Sequence, residues 1–338
     1  MPTDIHSRHK QLIVPLRAAL YDADAQTLPQ VLQALFSPDC AIHLAFPLGD
    51  LEGPDALYEQ VYLPLLIALP DLERRDFIFM AGEDRGQYWI GCAGHYLGVF
   101  ARPWLDIPPT RRAVAMRYHE FFRIEDERIV EMQAVWDIPQ LMMQAGAWPM
   151  TPSLGTEWLA PAPATQDGLR DGRYEEASAS VRLVRDMLTA MGRHPLQGGP
   201  EVMHLERFWH PRMNWYGPAG IGTARGIDGF RRWHQIPFLK AMPDRRAEIS
   251  GTAVMFGEGP YVATTGWPNM RMTISGDGWL GIAPCNRQIT MRSLDFWRIE
   301  NGLIRENWVL IDLLHVYHQI GVDVFLRMRE LTYHRQST

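Results

Sequence analysis

The sequence predicts an α+β protein built twice from one plan, with helices laid on one face of a curved antiparallel sheet. Three observations lead there. First, a strand, a tight turn, a second strand and an apolar helix occur twice. Arg117 to Asp137 aligns without a gap on Arg292 to Asp312, at an offset of about 175 residues, far longer than any solenoid period. Second, each half places its helical periodicities before its strand-like segments, the order of an α+β domain. Third, turn residues recur in register: Pro211 matches Pro38, Gly226 matches Gly53, Pro237 matches Pro64, and Pro243-Asp244 matches Pro70-Asp71.

In the first half, Leu12, Leu16, Ala19 and Leu20 recur at helical spacing, and Leu28 to Leu35 repeats that signal. Pro29 suits a first helical turn, and Pro38-Asp39 breaks the helix. Ala41 to Phe46 reads as a short strand. Gly53-Pro54-Asp55 turns the chain into a helix through Leu57, Val61 and Leu65, which Pro70-Asp71 ends. Strands follow over Arg75–Ala81, Tyr88–Phe100, Val114–Ile124 and Val130–Asp137, punctuated by Gly82, Gly86 and Pro108-Pro109. A Pro-rich stretch, 151–168, reads as a semi-extended linker that Trp158 pins to a domain surface. The halves are then 1–150 and 169–338. In the second half Ala177–Met191 and Val202–Trp209 read as helical. Gly259 and Tyr261 match Gly86 and Tyr88, and after two extra residues Trp279 matches Trp104.

A chain of 338 residues, 46% hydrophobic and 21% charged, is long enough for two ordinary cores and is not disordered. Net charge is −6, and Lys10 and Lys240 are the only lysines. With arginines scattered and no basic tract, nucleic acid is not expected as a partner. Met1 to Lys10 lacks the apolar core of a signal peptide, and no apolar run is long enough for a bilayer, so a cytoplasmic protein is expected. Cys40, Cys92 and Cys285 show no CxxC spacing and read as reduced packing residues. His315 and His318 lie one helical turn apart without a third ligand, a weak metal signal. Without a phosphate loop or nucleophile elbow, no nucleotide, flavin or metal cofactor is expected.

Each half resembles the SnoaL-like polyketide cyclases of the nuclear transport factor 2 and ketosteroid isomerase superfamily. Trp215-Tyr216-Gly217-Pro218 is similar to the family's aromatic-Gly-Pro strand end. Gly53-Pro54-Asp55 and Gly226-Ile227-Asp228 open the helix that closes on a Pro-Asp pair. Asp106-Ile107-Pro108-Pro109-Thr110 resembles the G-I-P-P-T turn, with aspartate for glycine. Glu306 to Leu313 matches the E-x-W-x-x-x-D-L ending; the first half carries Gln133 where that ending has Trp308. The resemblance implies two cone-shaped α+β barrel domains, each a curved antiparallel sheet wrapped around helices and enclosing an apolar pocket. It also implies a small apolar or polycyclic carbonyl ligand. The half-apolar outer sheet face suggests that the halves pack as a pseudo-dimer, with room for further homo-oligomerisation.

Asn301-Gly302 is a two-residue hairpin signal. Pairing outward from Glu300 and Leu303 sets Asp295 opposite Trp308, Ser293 opposite Leu310 and Met291 opposite Asp312. The pocket face then carries Asp295, Trp297, Trp308 and Asp312 in the second copy, and Tyr118, Glu120, Phe122, Gln133 and Asp137 in the first. A β-bulge would reverse the assignment beyond it. A carboxylate in an apolar pocket resists ionisation and so becomes a base of useful strength near neutral pH. By resemblance, the strand-end aspartates Asp312 and Asp137 act as acid/base on a carbon next to a carbonyl. Asp295 and Glu120 would donate to an enolate oxygen while protonated, and Trp308, Tyr216 and Tyr118 would wall the pocket. A strand-end aspartate before a helix is also a helix N-cap. The expected activity is a cofactor-independent cyclase or isomerase; the alternatives are an epoxide hydrolase using paired acids and a non-catalytic binding or scaffold protein.

Overall fold

The computed structural model describes residues 5–171, 174–247 and 253–336; residues 1–4 of the polar N-terminal stretch lie outside them. The chain forms two compact units, Met1–Pro149 with Val322–Thr338, and Met150–Gly321. No helix among the described residues is long and apolar enough to cross a membrane.

In the first unit, helices Ile5–Leu12, Val14–Tyr21 and Leu28–Leu35 precede strands β1 (Phe36–Leu44) and β2 (Asp50–Glu52). Helical segments Gly53–Leu57, Tyr58–Tyr62 and Leu63–Ala68 lead into the long strands β3 (Glu73–Asp84), β4 (Gln87–Val99), β5 (Ala113–Glu125) and β6 (Arg128–Trp136). The sheet order is β2-β1-β6-β5-β4-β3. In the second unit, helix Tyr174–Met191 precedes β7 (Trp209–Tyr216) and β8 (Ala224–Arg225). Helical segments Gly226–Phe230, Arg231–Gln235 and Ile236–Ala241 follow. Then come β9 (Arg246–Ala247), β10 (Val254–Glu258), β11 (Tyr261–Thr265), β12 (Met270–Thr273), β13 (Gln288–Met291), β14 (Ser293–Glu300) and β15 (Leu303–Ile311). The order β8-β7-β15-β14-β11-β10 reproduces that of the first sheet. Both sheets are open, with edge strands rather than a closed barrel. They are also not wholly antiparallel, because β1 runs parallel to β6 and β7 parallel to β15.

The two units share more than strand order. Segments Tyr58–Tyr62 and Arg231–Gln235 are π-helical turns. Each lies just before a matched proline, Pro64 or Pro237. A proline within a helix lacks an N–H and crowds the carbonyl four residues back, and a widened turn absorbs both effects. Gly53 and Gly226 start these helices at φ +77° and +69°. A Cβ on Gly53 would stand 2.6 Å from the Pro38 carbonyl oxygen, and one on Gly226 would stand 3.3 Å from that of Pro211. The Pro-Asp pairs end the helices and also bond the sheet: Asp71 accepts from the Val99 N–H and Asp244 from the Thr273 N–H, each at 2.7 Å. Gln144 clamps Ala115, and Gln319 clamps Thr290, through both backbone N–H and C=O.

Three expectations need correcting. Val202–Trp209 is not one continuous helix: two short 3-10 helices, Pro200–Met203 and Leu205–Arg207, run into β7. Cys40 and Cys92 are buried, but Cys285 is exposed and is no packing residue. The hairpin register also differs. Glu300 pairs Leu303 and Ile299 pairs Ile304, after which one residue, Arg305, bulges and the pairing slips. Phe296, not Asp295, lies opposite Trp308, and Asp295 lies opposite Val309. The first copy bulges at the equivalent Val130, so Phe121, not Glu120, lies opposite Gln133. One inserted residue turns every later side chain of that strand to the other face.

That other face in the second unit is covered by the linker. The Trp308 indole donates to the Pro161 carbonyl at 2.9 Å, the Ala164 N–H donates to Glu306, and Thr156 bridges Thr223. Trp158 meets the Tyr216 ring edge-on at 6.5 Å but stays 55% exposed, so the linker is held by these hydrogen bonds more than by Trp158.

Candidate functional site

A cavity of about 120 Å³ lies inside the second unit, between helix Tyr174–Met191, the π-turn and the concave face of β14 and β15. Its apolar walls include Trp209, Trp215, Phe230, Phe238 and Trp297. Engineered cavities of ~150 Å³ hold a benzene ring, so the space fits a single small ring. Ser293, Asp295 and Trp297 reach it from β14, and Asn307, Val309 and Ile311 from β15. This alternation follows from the bulged register. Asp295 and Trp297 are therefore the predicted site residues of the second half that the cavity contains.

Asp295 is the carboxylate of this lining. The Ser293 hydroxyl donates to its Oδ1 at 2.6 Å. Burial pushes the Asp295 carboxyl up to about 7, and the Ser293 hydrogen bond only partly opposes this. On the helical side the π-turn presents His234 and Gln235. The His234 ring stacks on Trp215 at 4.1 Å, and its Nδ1 has no hydrogen-bond partner. Burial, helped by the nearby Arg245, lowers the His234 imidazole to about 3, so the ring is neutral at physiological pH. Gln235 donates to the Met203 sulfur while its Oε1 has no partner, and the Trp209 indole N–H likewise has none. Arg245 donates from Nη2 to the Met191 carbonyl at 2.9 Å, but its Nε–H has no acceptor. Burial lowers the Arg245 pKa. Buried polar groups are rarely left unpaired, and four of them line one small cavity.

The equivalent interior of the first unit is filled. Tyr118 stands where the second unit has Ser293, Trp136 where it has Ile311, and Tyr62 where it has Gln235. Glu120, the counterpart of Asp295, accepts from Arg74 at 2.6 Å, Tyr96 at 2.7 Å and the Trp136 indole at 3.0 Å. Arg74 also bonds Asp76, which accepts from Tyr118 and Arg17. Burial would raise the Asp76 carboxyl, but Arg74 and Arg17 overcome it and hold the group below its ordinary range. Glu120, Arg74 and Tyr118 are all buried. A buried carboxylate bonded by a guanidinium and two neutral donors is committed to partners within the protein.

The remaining predicted residues fall elsewhere. Phe122 faces the interior of the first unit, packing edge-on against Phe36, whereas Gln133 lies on the opposite face and bonds Glu131. Tyr216 and Trp308 meet at 5.4 Å in a tilted contact on the linker side of the second sheet, with the Tyr216 hydroxyl on Glu306. Asp312 caps helix Leu313–Gln319 by accepting from the His315 N–H, and its other oxygen lies 3.5 Å from Arg292. Asp137 lies 3.7 Å from Arg117, the matching arginine of the first copy. Residue-by-residue reading passed over His234, Gln235 and Arg245. Their signal lay in the comparison of halves: the positions equivalent to His234 and Arg245 are Val61 and Leu72 in the first.

Helices packed against one face of an open six-stranded sheet define a tandem pair of α+β domains, the second with a polar-spotted apolar cavity. The family model described as SnoaL-like polyketide cyclase matches residues 16–145 and 200–320. The chain belongs to that family, twice over. Among solved structures it is similar to IdmH from Streptomyces antibioticus, at 21% identity over 41% of this chain and 99% of that one, TM-score 0.35. AclR from Streptomyces galilaeus matches at 21% over 44% and 86%, TM-score 0.36. An NTF2-like protein from Burkholderia pseudomallei matches at 20% over 43% and 98%, TM-score 0.33. The comparison with curated proteins gave no match.

Proposed function

We propose that the second unit binds a small carbonyl-containing molecule in its cavity and that Asp295 is the general acid/base of a cyclisation or isomerisation there. One observation carries this reading: a carboxyl held at about 7 by burial, on the wall of a cavity lined with unpaired polar atoms. A base whose pKa matches the operating pH is both available and strong enough. Ionised Asp295 takes a proton from the carbon beside the carbonyl. The electron pair moves onto the carbonyl oxygen, where the Trp209 indole N–H is the available donor. Protonated Asp295 then returns the proton to a different carbon in an isomerisation; in a ring closure the enolate carbon bonds to a second carbonyl carbon of the ligand, that C=O π pair moves onto its oxygen, and Asp295 protonates the resulting alkoxide. Ser293 orients the carboxylate throughout. These steps use only side chains of the chain.

The first unit supports a different role. Its interior network favours a scaffold half without turnover, the third of the functions expected from sequence. The epoxide hydrolase reading is favoured less, because its two acids have only Asp295 to draw on in the cavity lining. The test is exchange of the α-protons of cyclohexanone in D₂O. The native chain should accelerate exchange with a rate that rises through about pH 7, and Asp295→Asn should fall to the buffer rate, a loss of at least ~100-fold for a general base. Acceleration that persists in Asp295→Asn would refute the assignment.

A further inference from the structure

We infer that the ligand of the second unit carries a carboxylate, bound by Arg245 at the helical end of the cavity while its ring lies among the tryptophans. The inference rests on the reading of this cavity as a ligand site. Among the described residues Arg245 forms no ion pair, and its one hydrogen bond goes to a neutral acceptor, the Met191 carbonyl. A guanidinium offers five donors in a fork that matches the two oxygens of a carboxylate. Burying it without a counter-ion is costly, and breaking a buried pair by removing one partner costs several kcal/mol. An anionic ligand restores the missing partner.

The geometry of the rest of the site agrees. Arg245 is bonded to the Met191 carbonyl at the end of helix Tyr174–Met191, whereas Asp295 projects from β14. The guanidinium therefore lies on the helical side of the cavity and the carboxyl on the sheet side. A ligand anion held there is kept apart from Asp295, and its reacting carbon is left on the Asp295 side. The stack of Trp215 on His234, with Phe230 and Phe238 nearby, gives the cavity an aromatic wall between the two ends. In the first unit the position of Arg245 is Leu72, buried in the core, and the cation of that interior, Arg74, is already paired with Glu120 and Asp76.

Benzoate and benzamide test this, being nearly isosteric and differing in charge. Calorimetry on the full chain at pH 7 should give benzoate at least 10-fold tighter binding than benzamide. Arg245→Gln should bring the ratio near one with benzamide affinity unchanged, and Arg245→Lys, which keeps the charge, should retain part of the preference and decides the matter if Arg245→Gln does not fold. Equal affinities in the native chain, a preference that survives Arg245→Gln, or binding of neither probe would each overturn the inference. Asp295→Asn should keep the preference. A lost turnover prediction with an intact benzoate preference therefore condemns the acid/base role alone, and the reverse condemns the carboxylate site alone.

Discussion

Replacing Asp295 by asparagine should make the second unit more stable at pH 8 while removing its activity. The folded-state pKa of this carboxyl lies at about 7, above its ordinary 3.8. The folded chain therefore holds its proton longer than the unfolded chain does, and raising the pH from 3.8 to 7 withdraws stability rather than adding it. At about 1.4 kcal/mol per pH unit the penalty reaches ~4 kcal/mol above pH 7. Water entering the cavity and local relaxation reduce it, so a gain of about 2 to 4 kcal/mol is expected at pH 8. Asparagine keeps the Oδ1 acceptor for the Ser293 hydroxyl, so the substitution removes the charge without orphaning its partner. The gain should shrink toward zero as the pH falls to about 4, where native Asp295 is protonated in the folded chain. Hydrogen–deuterium exchange of the β14–β15 hairpin reads the second unit alone, and so avoids mixing the two units in one unfolding curve. A variant that is equally or less stable at pH 8, or a gain that does not depend on pH, would refute the burial argument.

Glu120→Gln should cost on the order of 3 kcal/mol in the first unit, because Arg74 keeps only Asp76 as a charged partner, yet it should leave α-proton exchange intact. Denaturant unfolding beside the exchange assay checks both halves of that statement. Asp312→Asn should be nearly silent in stability, because asparagine also caps helices, whereas Asp312→Ala should cost about 1 kcal/mol; thermal melts of the two variants separate them. Gly53→Ala should destabilise by more than Gly226→Ala, by ~1 kcal/mol or more, since both meet the left-handed penalty but only the first meets a backbone oxygen at 2.6 Å.

The fold was legible because it is written twice. Pro38 with Gly53 and Pro211 with Gly226 recur because each pair is one backbone contact, and a repeated contact leaves a repeated pair of residues. Pro70-Asp71 and Pro243-Asp244 recur for the same reason. The hairpin register was not legible from its turn, because Asn301-Gly302 fixes the first two pairs and says nothing of a bulge beyond them. Charge did carry the information. With one residue skipped, Arg298 meets Glu306 at 2.6 Å and Arg123 meets Glu131 at 2.9 Å. Both Arg–Glu pairs recur at the repeat offset, and the unbulged register breaks both. The site was half legible. Asp295 and Trp297 were found because their strand precedes the bulge, while Asp312, Trp308, Gln133 and Asp137 follow it and change face. Large-to-small changes between the halves, Tyr118 to Ser293 and Trp136 to Ile311, were the available sign that one interior is filled and the other hollow.

The proposed chemistry turns on which aspartate moves the proton. Cyclohexanone exchange in D₂O should be measured side by side for Asp295→Asn and for the double variant Asp312→Asn, Asp137→Asn. Loss of exchange in the first and native rates in the second are predicted. Native rates in Asp295→Asn with loss in the double variant would return the chemistry to the strand ends and contradict the account.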